Sequence, residues 1–157
     1  PDFPMNFIIN TIPTKAEFSA KPDTADRLAY GRYLFNAAAC NECHTKQEKG
    51  KKILDMELAG GFEFPIPPFG KVISSNITPD VETGIGKWTE EAFVQRFKAF
   101  APDRYVPQGV LAGQFQSVMP WTMYARMSES DLRALFSYLK TVKPIKHEVT
   151  KFIAAQG

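Results

Sequence analysis

Cys40-Asn41-Glu42-Cys43-His44 decides the reading of this 157-residue chain, for it holds both of its cysteines and one of its two histidines. Two thiols three residues apart can bond the two vinyl groups on one edge of a porphyrin, forming thioethers. The histidine that follows is then held beneath the macrocycle, with its imidazole at the iron. Scattered at random, two cysteines and two histidines would fall into this C-x-x-C-H pattern about 2 times in 10,000. Cys40 and Cys43 are therefore read as attachment points for one haem c, and His44 as the proximal iron ligand.

Rival chemistries for the same residues fit less well. A thioredoxin-like dithiol needs a βαβ context that the flanks do not offer. A structural zinc site needs four ligands, and the only other histidine, His147, stands about a hundred residues away with no third cysteine. A local disulfide would leave His44 unexplained. Composition narrows the field further. Hydrophobic residues make up 44% and charged residues 23%, enough for one cored domain. Nineteen Lys and Arg against seventeen Asp and Glu give +2, too balanced for nucleic-acid binding by charge. The best apolar run, Phe7 to Ile9, is broken by Asn6 and Asn10, far short of the ~18 residues of a membrane span.

The sixth ligand separates an electron carrier from a catalyst or sensor, since thioether ligation raises the potential and closes the iron to small molecules. Five methionines compete. Met5 lies in the N-terminal arm, and Met56 stands only twelve residues past His44, with little chain to reach the opposite face. Met119, Met123 and Met127 recur every four residues, as on a packed helix face. Pro120 distinguishes them: the residue before a proline is pushed towards extended geometry, so Met119 belongs to a loop. Pro120 then opens a short helix containing Met123 and Met127. Met119 is the expected distal ligand. His147, flanked by Lys146 and Glu148, reads as a solvated surface histidine.

The organisation reads as an irregular, proline-rich arm over 1–22, a haem domain over 23–145 and a C-terminal extension over 146–157. A first helix is expected from Asp23, capped by Asp23 with Asp26 three residues on, burying Leu28, Gly31, Phe35 and Ala38. Gly31 inside a helix costs about 1 kcal/mol relative to Ala, which a close helix crossing would justify. A second runs from Thr89 to about Phe100, with Phe93, Phe97 and Phe100 inward. A last helix is capped by Ser128 with Asp131, buries Leu132, Leu135, Phe136 and Leu139, and ends near Lys140, Lys143 and Pro144. Residues 50–88 read mostly as loop, with a short strand at Lys71–Ser75.

The chain resembles a class I cytochrome c, and more narrowly the single-haem modules in cytochrome subunits of bacterial alcohol, aldehyde and gluconate-type dehydrogenases. The resemblance rests on Cys40 to Thr45, Pro67-Pro68-Phe69-Gly70 and Ser75-Asn76-Ile77-Thr78-Pro79-Asp80. It continues through Thr83-Gly84-Ile85-Gly86-Lys87-Trp88-Thr89, Met119-Pro120-Trp121 and Ser130-Asp131-Leu132 to Tyr138-Leu139. It implies an all-α class I cytochrome fold, Met119 as distal ligand, and a crossing of Gly31 and Phe35 with Leu135 and Tyr138. It also implies that Asn76, Ile77, Thr78 and Trp88 lie near the haem, and that a backbone carbonyl near Pro67 or Pro68 accepts from His44. Trp121 stands where the family often has Tyr, and one haem replaces several.

The implied function is one-electron transfer without substrate chemistry. Expected partners are a dehydrogenase donor and an oxidase or another cytochrome as acceptor, with no nucleic acid. The location is periplasmic, or membrane-anchored through a segment upstream of Pro1. Lys46, Lys49, Lys51 and Lys52 form a candidate basic collar for acidic partners, or an ordinary solvated loop. Two alternatives stay open: a relay subunit docked on a dehydrogenase, and a sensor or enzyme with an open distal site.

Overall fold

One glycine sets how the two longest helices meet. Helix α2 (Arg27–Ala37) crosses helix α6 (Glu129–Leu139) at Gly31, where a Cβ atom would lie 2.1 Å from the Ala134 carbonyl oxygen. Only a residue without a side chain admits that approach, which answers why a poor helix former sits mid-helix. Phe35 and Tyr138 pack beside the crossing with ring centroids 5.1 Å apart. The computed structural model describes residues 3–15, 20–111, 113–115 and 117–155.

In chain order the remaining helices are α1 (Met5–Ile8), α3 (Cys40–His44), α4 (Glu90–Lys98) and α5 (Trp121–Tyr124). Single 3-10 turns follow at Ile9–Thr11 and Leu54–Met56. The strands are β1 (Gln47–Glu48), β2 (Lys51–Lys52), β3 (Glu63–Ile66), β4 (Gly70–Ile73) and β5 (Phe152–Ala154). They form two antiparallel sheets, β1-β2 and β3-β4-β5. The all-α expectation therefore covers the core but not the loops between α3 and α4. There, Phe64 pairs with Val72 and Val72 with Phe152, so the sheet pairs a loop hairpin with the C-terminal extension. The arm is likewise not irregular throughout, since it holds α1 and a 3-10 turn.

Helix α4 packs on α6 through Phe93, whose ring lies 5.1 Å from Phe136 and 5.0 Å from Phe97. Thr89 caps α4 by accepting from Ala92 N, and its acidic first turn faces two arginines. Glu90 pairs with Arg27 and Arg133, and Arg133 also reaches Glu91 at 2.7 Å, tying the starts of α2 and α4 to α6. At the centre of the core, Phe35, Leu58, Ile85, Phe93, Val94, Phe97, Leu132, Leu135, Phe136 and Leu139 form one cluster.

The α6 cap forms as expected: Ser128 Oγ accepts from Asp131 N, and Asp131 accepts in return from Ser128 N. The α2 cap does not. Asp26, not Asp23, accepts from Ala29 N, while Asp23 accepts from Ala25 N in a preceding turn. Either aspartate suits a cap, and the chain closes one turn before committing to helix. Leu28 then falls in the first turn, outside the crossing and half exposed, and Tyr30 takes its place in the core. Tyr30 OH donates to Asp131 Oδ1 at 2.8 Å. Lys140 closes its helix as the C-cap, its amide donating to the Phe136 carbonyl at 3.0 Å, while its Nζ donates to the Gly86 carbonyl at 2.6 Å.

Two measurements test this frame. Gly31→Ala should cost about 1–3 kcal/mol or more, because backbone on both sides must move; a parent-like denaturation midpoint would refute the crossing. Burial alone would raise the Asp131 carboxyl pKa, but hydrogen bonds from Ser128 and Tyr30 outweigh it and hold the pKa below its ordinary value. A depressed folded pKa gives stability present above the unfolded value of about 3.9 and lost as pH falls through the folded one. Thermal melts below about pH 4 should therefore show a shallower acid decline in Asp131→Asn than in the parent.

Candidate functional site

Helix α2 ends one residue before Ala38, and the chain turns at Ala39, whose backbone is left-handed (φ 52°), into α3. The single turn Cys40–His44 carries both thiols and the imidazole. Cys40 packs against the core, where loss of solvent pushes its free thiol up to about 11, while Cys43 is exposed. Tyr124 of α5 donates to the Ala38 carbonyl at 2.8 Å, fixing α5 to the turn that launches the motif.

Two loops grip the histidine. His44 Nδ1 donates to the Ser75 carbonyl at 2.8 Å, and the His44 carbonyl accepts from Gly60 N at 2.7 Å. Loss of solvent holds the imidazole pKa below its ordinary value, against the raising effect of the Ser75 carbonyl. With Nδ1 protonated towards Ser75, Nε2 keeps its lone pair and has no hydrogen-bond partner among the described residues. Such a nitrogen suits an iron, and its oriented partner is what metal-bound histidines generally require. The acceptor is Ser75, not a carbonyl near Pro67 or Pro68. Those prolines are exposed in the β3–β4 turn, closed by Phe69 N donating to the Ile66 carbonyl.

Thr45, only 1% exposed, was not singled out by function in the sequence. Its hydroxyl donates to Asn41 Oδ1 and accepts from Leu58 N at 3.0 Å, joining the motif to the Leu58–Gly60 turn. A Cβ on Gly60 would lie 2.4 Å from the Ser74 carbonyl oxygen and 2.7 Å from Asn76 N, so this turn lies directly against the Ser75 segment. A threonine directly after C-x-x-C-H was the available signal.

Met119 lies on a loop, as Pro120 dictates, and packs half-buried against the same core cluster as Cys40 and Ile77. Trp121 holds that loop. Its amide donates to the Met119 carbonyl at 2.8 Å and its indole Nε1 to Ser117 Oγ at 3.0 Å. Its ring stacks on Phe100, and Arg96 lies over it. The other methionines are placed differently from the helix-face expectation. Met123 is 70% exposed, because α5 presents that side to solvent, and Met127 follows the end of α5 and packs on the core. Met56 sits half-buried in a 3-10 turn, and the Met5 side chain lies outside the described residues.

Asn76, Ile77 and Trp88 are not gathered at one point. Asn76 is 5% exposed, and its amide serves the protein: Nδ2 donates to Thr83 Oγ1 and the Ile145 carbonyl, and Oδ1 accepts from both N and Oγ1 of Thr78. Ile77 packs on the core, and Trp88 is 39% exposed beside Lys87 and Arg96. His147 is not a solvated side chain. It is half-buried, with Nδ1 donating to the Ala59 carbonyl at 2.8 Å. Its charged neighbours concealed this, because backbone acceptors leave no mark in sequence. In the collar, Lys46 pairs with Glu48 and Lys52 with Glu42, leaving Lys49 and Lys51 exposed on the β1–β2 hairpin.

Asn76→Ala would orphan buried groups of Thr78 and release the Ile145 carbonyl. A loss of about 2–3 kcal/mol in denaturant unfolding is expected, with faster proteolysis near residue 145. Unchanged stability would show that the network is idle.

A family model described as Cytochrome c matches residues 28–143. The chain is 34% identical over 129 residues to the fructose dehydrogenase cytochrome subunit of Gluconobacter japonicus, covering 79% of this chain and 24% of that protein. Against the cytochrome c subunit of the quinone alcohol dehydrogenase of Gluconobacter oxydans it is 32% identical over 117 residues, covering 73% and 21%. It is 34% identical over 110 residues to the gluconate 2-dehydrogenase cytochrome c subunit of Pantoea cypripedii, covering 69% and 21%. The chain thus spans a quarter or less of the length of these relatives.

Proposed function

The chain belongs to the cytochrome c family, and from that premise we propose that residues 23–145 hold one haem c, joined through Cys40 and Cys43, and serve as a one-electron transfer unit. When bound, the haem supplies an Fe(III)/Fe(II) couple. The protein's own residues do the rest. His44 presents Nε2 as the proximal donor, and the Ser75 carbonyl fixes its tautomer and raises its basicity. Met119 offers its sulfur as the distal donor from a loop that Trp121 holds in place. The buried Phe and Leu side chains around Cys40 exclude water, which raises the potential and limits reorganisation on transfer.

The observation that carries this reading is His44, one residue after Cys43, held at Nδ1 and free at Nε2 of partners among the described residues. Ile77 at the edge of the core fits a cofactor-lining role. Asn76 fits a role in shaping that wall, and Trp88 a contact at its rim.

The relatives favour one elaboration. Their names describe dehydrogenase cytochrome subunits, and this chain corresponds to one section of them, so a relay role beside a dehydrogenase in the bacterial periplasm follows naturally. Electrons would enter from the dehydrogenase and leave to an oxidase or another cytochrome. Lys49 and Lys51 would offer the free charge of the collar to acidic partners. No helix among the described residues is long and apolar enough to cross a membrane.

Met119→Ala separates carrier from sensor. The parent should show a weak ferric band near 700 nm and bind CO slowly in the ferrous state. The variant should lose the band, bind CO rapidly and keep its covalent haem. A parent that already lacks the band and binds CO rapidly would overturn Met119 as ligand and favour an open distal site.

A further inference from the structure

The family match ends at residue 143, yet the chain beyond it is built into the site. Ile145 N donates to Thr78 Oγ1 at 3.2 Å, its carbonyl accepts from Asn76 Nδ2 at 2.8 Å, and His147 N donates to Thr83 Oγ1 at 2.9 Å. Further along, the Lys151 carbonyl accepts from Ile73 N at 2.9 Å, and β5 pairs with β4. The segment is a strap anchored at both ends, and between the anchors His147 turns inward. Its Nδ1 donates to the Ala59 carbonyl, and its Cε1 would lie 3.1 Å from a Cβ on Gly61.

The turn it touches, Ala59–Gly61, holds His44 from two directions. Gly60 N donates to the His44 carbonyl, and Gly61 N donates to the Ser74 carbonyl at 2.9 Å, beside the Ser75 carbonyl that receives His44 Nδ1. We propose that His147 is a positioning residue for His44: by clamping the Ala59–Gly61 turn, it fixes both the backbone that carries the imidazole and the carbonyl that orients it. This rests on the reading of His44 as the axial ligand. A loosened turn lets the Ser75 carbonyl drift from Nδ1–H, which makes the imidazole less basic and stabilises Fe(III) less. His147 acts only through these neighbours.

The test uses the full chain matured with haem, as parent, His147→Ala, His147→Asn and Lys146→Ala. Three quantities are read: covalent haem content, the redox equilibrium with a dye of fixed potential, and amide exchange at Gly60. His147→Ala should keep its haem, shift the dye equilibrium about two- to tenfold towards the ferrous protein, and exchange Gly60 N–H about tenfold faster. His147→Asn, whose amide sits where Nδ1 does and can still donate to Ala59, should stay within about twofold of the parent. Lys146→Ala breaks only the surface pair with Glu82 and should change neither quantity. A haem-loaded His147→Ala with the parent's dye equilibrium overturns the proposal. If His147→Ala does not mature, His147→Asn decides: parent-like behaviour supports the clamp, and a tenfold shift overturns it. A parent that takes up no haem refutes instead the reading of His44.

Discussion

The contact on which the rest of the structure depends is the meeting of α2 and α6 at Gly31. This crossing places the end of α2, and the Tyr124 hydroxyl bonded to the Ala38 carbonyl holds it there. That end carries Ala38, Ala39 and then the whole attachment motif, so a crossing a few tenths of an ångström wider would move both thiols and the imidazole together. Tyr30 and Asp131 close the crossing at one end and Phe35 with Tyr138 at the other. The charged knot of Arg27, Glu90 and Arg133 adds little energy at its exposure, but it fixes the direction from which α4 approaches.

Around this rigid pair the site is assembled from backbone. His44 is held by one carbonyl and one amide, Thr45 by its neighbours' main chain and side chain, and Met119 by a tryptophan that reaches back to Ser117. Buried polar groups need such partners, and every fully buried side-chain nitrogen or oxygen among the described residues has one, the open His44 Nε2 not being fully buried. The division of labour is clear: helices supply position, and loops supply orientation.

That division explains what could be read beforehand. Cys40, Cys43 and His44 announce themselves by spacing, and Ser128 with Asp131 by cap chemistry. The loop position of Met119 is legible because Pro120 leaves it no helical choice, and the crossing at Gly31 because a glycine there needs a reason. The Ser75 carbonyl was not legible, since every residue has one and only the fold selects among them. Asp23 and Asp26 are equal candidates for the cap in sequence, and only the fold selects Asp26, which leaves Leu28 outside the core. His147 misled through its charged neighbours, and β5 through its distance of some eighty residues from β4. Pairings that long leave no local periodicity to detect.

The strap has one more effect. Strand β3 presents Pro65 along its open side, and a proline cannot donate to an added strand. On the other side, β4 would offer a bare row of amides and carbonyls, were Phe152–Ala154 not laid along it. The terminal residues therefore keep this small sheet from recruiting a neighbouring molecule, and the cap on the sheet is itself only three residues long, too short to serve as much of a template in turn.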